Sequence, residues 1–225
     1  MYKKSIFTAL IFPLLAYTFI SKAGNQLRTQ DRVLPNGKTI SLAIGNLEDQ
    51  LVEAVVNPAN EYLSHGAGVA RTLADFFPDL QDLSDKLPAN KTSFYDSSQQ
   101  VICPVGTACT TKIYTQPKNP RISHVIHAVG PRGNDIGRKQ LLYNAYRSSL
   151  EQAELNGIST IAFPPISIGI FNYPLHEATE VALSAAIDYL SQTQSDIQKV
   201  VFVIWPGDKR FDEILSAYES QIRMI

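Results

Sequence analysis

The 225-residue sequence contains only two cysteines and has no excess of charge of either sign. Cys103 and Cys109 are too few for a scaffold built on disulfides, and without a second cysteine pair their spacing fits no zinc motif. A bridge between them is an alternative to two buried free thiols, which we favour. With 20 basic and 21 acidic side chains, the chain lacks the positive field that attracts nucleic acid or an anionic membrane.

Long apolar runs are missing except near the N-terminus. There Lys3 and Lys4 precede an apolar stretch from Ile6 to Ile20, and Ser21-Lys22-Ala23 supplies the small residues at which signal peptidase cleaves. The pattern predicts a secretory signal peptide over residues 1–23, and therefore a secreted or periplasmic protein with no stable membrane association after cleavage. An uncleaved membrane anchor is the alternative, although the run is short and Pro13 interrupts it.

The rest of the chain is long enough for one domain of ordinary size, and 44% apolar residues support a buried core. Residues 24–37 are polar and predict an N-terminal extension, so we expect the domain over residues 38–225. Apolar strands alternate with amphipathic helices, which predicts an α/β fold with a mixed or parallel sheet between helices. Strands are predicted at Thr39–Ile44, Val52–Val56, Thr160–Phe163 and Lys199–Trp205, after Cys103 and within 122–131; helices are predicted at 69–77, 140–155 and 174–190, with Asp208 capping the last helix.

A stretch from Leu51 to Phe77 organises the chain. Its strand leaves through the turn Asn57-Pro58-Ala59-Asn60, crosses the loop His65-Gly66-Ala67-Gly68 and enters a helix that Pro78 ends. Glycines let backbone N–H groups approach a phosphate closely, and a helix N-terminus favours negative charge. The stretch therefore predicts an anion site, with an ordinary glycine turn as the alternative.

A second loop with unusual composition follows the strand Thr160–Phe163. It reads PPISIGIFNYP from Pro164 to Pro174, and it places Ile170 and Phe171 among turn-forming residues. An aromatic ring in such a loop either closes over a ligand or plugs the core beneath the loop.

The amino-acid sequences of these loops resemble those of a known family. The string VVNPANEYLSHGAGVA at 55–70 resembles the signature of macrodomains, which bind ADP-ribose, and is closest to the viral type. The strings GNL at 45–47, CPVGTA at 103–108, ISHVIHAVGP at 122–131 and the PPISIGIFNYP loop resemble the same family in the same order. The resemblance covers roughly Lys38 to the C-terminus and implies a three-layer α/β/α fold with a central mixed sheet.

The resemblance also implies a site for ADP-ribose, with Asn60 at the distal ribose as the catalytic residue. Asn46 would accept a hydrogen bond from the exocyclic amine of adenine, and Trp205 would stack on adenine. Backbone amides of the two loops would bind the diphosphate. The alternative is that Asn46 and Asn60 are ordinary turn residues. For Trp205 the alternative is an aromatic lid on the core. The implied ligand-binding set is Asn46, Leu47, Asn57, Asn60, His65, Gly66, Ala67, Gly68, Val69, Ser167, Ile168, Gly169, Ile170, Phe171 and Trp205.

Four residues depart from the family pattern. Asn46 replaces an aspartate and should hold the adenine amine more weakly. Ala67 replaces a glycine, and its methyl group would be strained at a positive φ or would crowd the diphosphate. Ala70 stands where strongly hydrolytic members carry aspartate, so a carboxylate base is missing there. Asn172 replaces a glycine but tolerates positive φ.

We therefore expect a monomer that binds ADP-ribose and hydrolyses mono-ADP-ribose from modified proteins, or acts on a related derivative. A non-catalytic ADP-ribose-recognition module is the alternative that Ala67, Ala70 and Asn46 favour. A structural or nucleic-acid-binding role is weaker, since aromatic and basic residues do not interleave. No cofactor and no metal are expected, because His124 and His127 lie three apart on a strand and point to opposite faces.

Overall fold

A computed structural model describes residues 28–114, 119–192 and 194–225. The predicted signal peptide lies outside these residues. Within them, no helix is long and apolar enough to cross a membrane.

The described residues form nine strands and five helices, and seven of the strands make one mixed sheet in the order β1-β2-β9-β8-β3-β7-β6. The strands are β1 Arg28–Val33, β2 Thr39–Ile44, β3 Ala54–Pro58, β4 Lys91–Thr92, β5 Gln100–Val101, β6 Ala108–Lys112, β7 His124–Ala128, β8 Thr160–Phe163 and β9 Lys199–Ile204. The helices are α1 Gly68–Phe76, α2 Leu80–Ser84, α3 Arg138–Leu155, α4 Leu175–Leu190 and α5 Phe211–Ile222.

Five adjacent strands in the centre of the sheet, β2, β9, β8, β3 and β7, run parallel, whereas β1 and β6 pair antiparallel at the two edges. Side chains of the central strands alternate between two apolar layers. In β9, Phe202 and Ile204 pack with helices α3, α4 and α5, whereas Val201 and Val203 pack with α1 and α2. The sheet is therefore covered on both faces, as the sequence predicted.

Strand β1 falls in the segment that the sequence assigns to a polar extension. It pairs along its whole length with β2, from Arg28 opposite Ile44 to Val33 opposite Thr39. The sequence did not predict this strand because most of its residues are polar. An edge strand tolerates polar residues, since much of its surface stays in water. Asp31 joins it to the sheet by accepting a hydrogen bond from Ser41 Oγ at 2.5 Å.

Several helix ends follow the residues that predicted them. Gly157 has φ +68 just after α3, and Pro174 stands directly before α4. The expected cap at Asp208 is wrong, because α5 begins at Phe211 with Arg210 at the N-cap position. Asp208 instead accepts a hydrogen bond from the Arg210 backbone N–H at 2.8 Å, in a turn that precedes the helix.

The two cysteines are free thiols. Cys103 is buried and Cys109 is half-buried, and both pack in a small apolar cluster with Leu63 and Val129. The hydrogen bond with the neighbouring Cys109, and secondly burial, raises the pKa of the Cys103 thiol far above its usual value.

Candidate functional site

The loops singled out in the sequence all follow the C-terminal ends of the central strands. Because the five central strands are parallel and adjacent, their C-terminal ends lie side by side. Open α/β sheets bind ligands outside these ends. The loops that follow β2, β9, β8, β3 and β7 therefore stand next to one another in that order. The first two carry Asn46 and Trp205, and the next two carry Phe171 and Asn60.

The glycine loop at the start of α1 has open backbone on its outer side. A Cβ built on Gly66 or Gly68 would meet no atom within 4 Å. No side chain caps the helix N-terminus, and its first turn contains no acidic residue. The first backbone N–H groups of α1 are therefore positioned for an anion from outside the chain.

Ala67 does not carry the strain that its replacement of a glycine suggested. Its backbone is extended, with φ −155 and ψ 166, which any residue adopts. The positive φ of the loop falls one residue later, at Gly68 with φ +59. The methyl group of Ala67 thus leaves the loop conformation intact.

The facing loop after β8 is held in a strained conformation. Ser167 and Asn172 have φ values of +68 and +49, and neither is glycine. Asn172 N donates to Gly169 O at 2.9 Å and Tyr173 N donates to Ser167 O at 3.0 Å, which closes the turn. Gly169 has open space where a Cβ would stand, and Ile170 is 92% exposed.

Ser167 has an unusual environment in this turn. The residue is buried, yet its Oγ makes no hydrogen bond to any described residue. A buried hydroxyl without a partner is costly and is rare outside functional sites. The Oγ is covered by the loop after β7, because a Cβ at Gly130 would lie 2.2 Å from it.

Asn60 caps its own turn and also keeps a free donor. Its Oδ1 accepts hydrogen bonds from the backbone N–H of Tyr62 at 3.0 Å and of Ser64 at 3.1 Å. The turn interpretation of Asn60 is thus correct for the oxygen. Because the oxygen is fixed in this way, the amide Nδ2 is the group that Asn60 presents to a ligand.

The family of this chain is settled by its similarity to known proteins. The Macro domain family model matches residues 56–182. A macro domain-containing protein of Caldanaerobacter subterraneus is 35% identical over 183 residues, which are 80% of this chain and 96% of that protein. The chain belongs to the Macro domain family.

Other relatives agree with this assignment. An O-acetyl-ADP-ribose deacetylase of Escherichia fergusonii is 33% identical over 151 residues, covering 66% of this chain and 78% of that protein. The Oceanobacillus iheyensis macrodomain solved with ADP has a TM-score of 0.71 and 26% identity, covering 88% of this chain and 97% of that one. The Trypanosoma brucei macrodomain in complex with ADP-ribose has a TM-score of 0.63 and 28% identity, covering 80% and 68%. The macrodomain fold is thereby confirmed, whereas the closer likeness to viral members stays a prediction.

Two predicted ligand contacts of this macro domain lie beneath the glycine loop rather than on its surface. Asn57 is fully buried on β3, and its Nδ2 donates to His127 Nδ1 at 3.0 Å. His65 is buried, its Nδ1 bonds to Gln81 Oε1 at 2.7 Å, and its ring packs edge-on against that of His127 at 5.4 Å. Asn57 Oδ1 and His65 Nε2 have no hydrogen-bond partner among the described residues, and the ligand contacts of both residues stay a prediction.

His127 is the centre of this buried polar layer. Because Asn57 donates to Nδ1, the ring proton lies on Nε2, which is 2.9 Å from Thr111 Oγ1 and 3.3 Å from Ser84 Oγ. Burial, and secondly the nearby His65, lowers the pKa of His127 to about 3. The imidazole is therefore neutral at physiological pH and serves as a structural histidine, as the sequence suggested.

We call the space outside the ends of β2, β9, β8 and β3, between the loops that follow them, the cleft. At its β2/β9 end, Trp205 is 56% exposed and lies over Gly207, where a Cβ would come within 2.4 Å of the indole. Asn46 Nδ2 donates to Asp49 Oδ2 at 2.9 Å, which turns the amide oxygen of Asn46 into the available acceptor. Leu47 is buried and supports this corner from the α1/α2 layer. Gly45 N donates to Ile204 O at 3.1 Å, which places the Asn46 corner next to the Trp205 loop, and the adenine contacts of both residues stay a prediction.

Sequence patterning missed several residues that shape the site. Gly130 and Gly133, after β7, pack against the strained loop, and Gly133 N donates to Phe171 O at 2.8 Å. Arg210 Nη2 donates to Ile168 O at 2.6 Å and ties the Trp205 side of the cleft to the same loop. Gly130 near the end of the predicted strand region 122–131 and Gly133 just after it were a usable signal, whereas nothing in the sequence pointed to the partner of Arg210.

Ala70 is buried in the first part of α1 and brings no carboxylate to the cleft. Glu61, which follows Asn60, is also buried, but its carboxylate accepts hydrogen bonds from Ser93 Oγ and the Phe94 backbone N–H. Its oxygens are thus engaged away from the cleft. Neither position supplies a general base next to Asn60.

Proposed function

We propose that this macro domain binds ADP-ribose across the cleft and hydrolyses mono-ADP-ribose from modified proteins, or acts on a related ADP-ribose derivative. The observation that carries the proposal is the pair of facing loops at the C-terminal edge of the sheet. One presents open backbone at Gly66, Gly68 and the α1 N-terminus, and the other presents Gly169, which has open space where a Cβ would stand. Such groups match a diphosphate.

The remaining parts of the ligand follow from the position of the diphosphate. Trp205 offers a face on which adenine stacks, and Asn46 offers an oxygen for its amine. The distal ribose then lies between Phe171 and Asn60, whose Nδ2 donates to a ribose hydroxyl. Relatives have been solved with ADP and with ADP-ribose, which supports a ligand of this class.

For hydrolysis, water attacks C1″ of the distal ribose while the bond from C1″ to the protein side chain breaks. Asn60 orients the ribose for this attack, and the water loses its proton to a phosphate oxygen of the ligand, because Ala70 and Glu61 supply no carboxylate base. The products are ADP-ribose and the unmodified side chain. Release of ADP-ribose from a mono-ADP-ribosylated protein tests this step, with Asn60→Ala as the variant that should abolish release.

The second candidate function is recognition of ADP-ribose without turnover. The observation that favours it is Ala70, since the position next to the glycine loop carries no base. A protein that binds ADP-ribose but releases none from any mono-ADP-ribosylated substrate would support this alternative. An unchanged release rate in Asn60→Ala would instead place catalysis at another site.

We also propose that the protein acts as a monomer outside the cytoplasm, after removal of its first 23 residues. The proposal rests on the basic, apolar and small-residue segments of the N-terminus. The mass of the protein recovered from the exported fraction should correspond to a chain that begins at Gly24. A full-length chain retained in the membrane fraction would support the anchor instead.

A further inference from the structure

A group of exposed apolar side chains lies beside the end of the cleft where Asn60 and Phe171 stand. Among the eleven large apolar side chains exposed in the described part of the chain, four belong to this group: Tyr62 at 47%, Phe94 at 45%, Tyr95 at 39% and Ile136 at 96%. Together with Arg132 we call them the distal rim. Scattered exposed apolar residues are ordinary, but a contiguous group marks an interaction surface.

One side of the distal rim is anchored on the residue that follows Asn60. Glu61 is 4% exposed, and its carboxylate accepts hydrogen bonds from Ser93 Oγ at 2.6 Å and from Phe94 N at 2.7 Å. The carbonyl of Glu61 also accepts hydrogen bonds from the backbone N–H of Ile102 and Cys103, both at 3.1 Å. Phe94 and its neighbours are therefore held at a fixed position relative to the Asn60 turn.

The other side of the distal rim is anchored on the loop that contacts Phe171. The Arg132 guanidinium lies 4.2 Å from the centre of the Tyr95 ring. The Tyr95 hydroxyl donates to Asp135 Oδ2 at 2.8 Å, and Arg132 N donates to the same oxygen at 2.8 Å. Since Gly133 N bonds to Phe171 O, Tyr95 connects the two sides of the cleft.

We infer that the distal rim binds the polypeptide that carries the ADP-ribose group. The inference rests on the proposed function: with the distal ribose between Asn60 and Phe171, the bond from C1″ leaves the cleft at this end. The residues that flank the modified side chain then pass over the rim, whereas a small acyl group on free ADP-ribose does not extend so far. The rim therefore directs this site towards protein-linked ADP-ribose.

The chemistry of the distal rim fits an apolar polypeptide segment. Tyrosine, phenylalanine and arginine are the residues enriched at the energetic centres of protein interfaces. The Arg132 guanidinium stacks on Tyr95, and the carboxylate of Asp135 is hydrogen-bonded within the same rim, so the rim offers no row of positive charge for a phosphate backbone. Because the rim is fixed by hydrogen bonds on both sides, little ordering entropy is lost on binding.

The test compares two ligands by calorimetry: free ADP-ribose, and a peptide that carries ADP-ribose through a hydrolysis-resistant linkage. The unaltered protein should bind the modified peptide more tightly than ADP-ribose. In the double variant Tyr62→Ala, Phe94→Ala, which keeps the hydrogen bond from Tyr95 to Asp135, we expect roughly tenfold weaker binding of the peptide, with less than about twofold change for ADP-ribose. Ile136→Ser should weaken the peptide by about threefold, and because Ile136 is 96% exposed, this variant removes no buried contact.

Leu155→Ser is the matched control, since Leu155 is 79% exposed at the end of α3, outside the rim, and its loss should change neither affinity. Equal affinities of the unaltered protein for peptide and ADP-ribose, or rim variants that weaken both ligands alike, would overturn the inference. An ADP-ribosylated oligonucleotide that depended on the rim as strongly as the peptide would overturn the choice of partner. Failure of the unaltered protein to bind ADP-ribose at all would refute the proposed function itself.

Discussion

Gly130 and Ser167 approach so closely that a methyl group at position 130 would lie 2.2 Å from the Ser167 Oγ. It would also lie 2.6 Å from Cγ2 of Ile166. Ser167 is buried at φ +68 and cannot easily move aside. The conformation of the proposed diphosphate loop thus depends on a residue of a different loop.

Gly130→Ala should displace the Ser167 turn and weaken ADP-ribose binding more than about tenfold, the scale of losing one or two well-placed hydrogen bonds. Calorimetry measures the effect. Gly137→Ala is a suitable control, because Gly137 has φ +73 and open space around its Cβ position. That variant should lose about 1 kcal/mol of stability through backbone strain and keep its affinity. Full affinity in Gly130→Ala would contradict the role given to Ser167.

Of the two positions at the start of α1, only Gly68 should be sensitive to substitution. Ala67→Gly should change ADP-ribose affinity by less than about threefold, because Ala67 is extended and unstrained. Gly68→Ala should weaken binding clearly, since an alanine at φ +59 costs about 1–2 kcal/mol and shifts the amides. Titration of both variants with ADP-ribose decides the point. A large gain in affinity from Ala67→Gly would mean that the methyl group does crowd the diphosphate.

Trp205 is the single tryptophan of the sequence and is half exposed, so its fluorescence reports on one place in the molecule. If adenine stacks on its indole, ADP-ribose and AMP should both change the emission, whereas ribose 5-phosphate should not. Trp205→Ala should weaken ADP-ribose binding about tenfold, and Trp205→Phe should weaken it less, because stacking on an aromatic face is worth about 1–3 kcal/mol. Emission that ignores AMP but responds to ribose 5-phosphate would exclude this stacking.

His127 should make the protein less stable in acid. Its pKa is about 3 in the folded state and near 6.5 when unfolded, so the unfolded chain binds the proton more tightly. The stabilisation is complete above pH 6.5 and is lost as pH falls towards 3. Between pH 6.5 and 5 the expected loss is about 2 kcal/mol, from 1.36 kcal/mol per pKa unit.

The measurement for His127 is urea unfolding at pH 7 and pH 5, with His127→Gln as the comparison. The variant should lose less stability over this interval than the unaltered protein, because glutamine does not titrate. Ring nitrogen shifts in NMR give a second test that needs no variant. A His127 ring that becomes protonated at pH 6 in the folded protein would contradict the buried neutral state.

The local sequence pattern was sufficient to predict an element where the spacing of its apolar residues matches their burial. The bounds of β2 and β8 follow directly from their apolar residues, and Asn172 takes the positive φ expected of a glycine substitute. The pattern failed where long-range contacts decide. β1 is polar because it lies at an edge. Asn57 faces a buried histidine 70 positions away, and Glu61 binds a segment 32 positions away, so neither contact leaves a local trace.

The central claim is that ADP-ribose binds across the cleft, and calorimetry with Phe171→Ala tests it most directly. Phe171 is half-buried at the proposed distal ribose, so the variant removes a ligand contact and spares the sheet. We expect micromolar affinity in the unaltered protein and a loss of about tenfold or more in the variant, with thermal unfolding nearly unchanged. No binding at millimolar ADP-ribose, or the same affinity in Phe171→Ala as in the unaltered protein, would contradict the account.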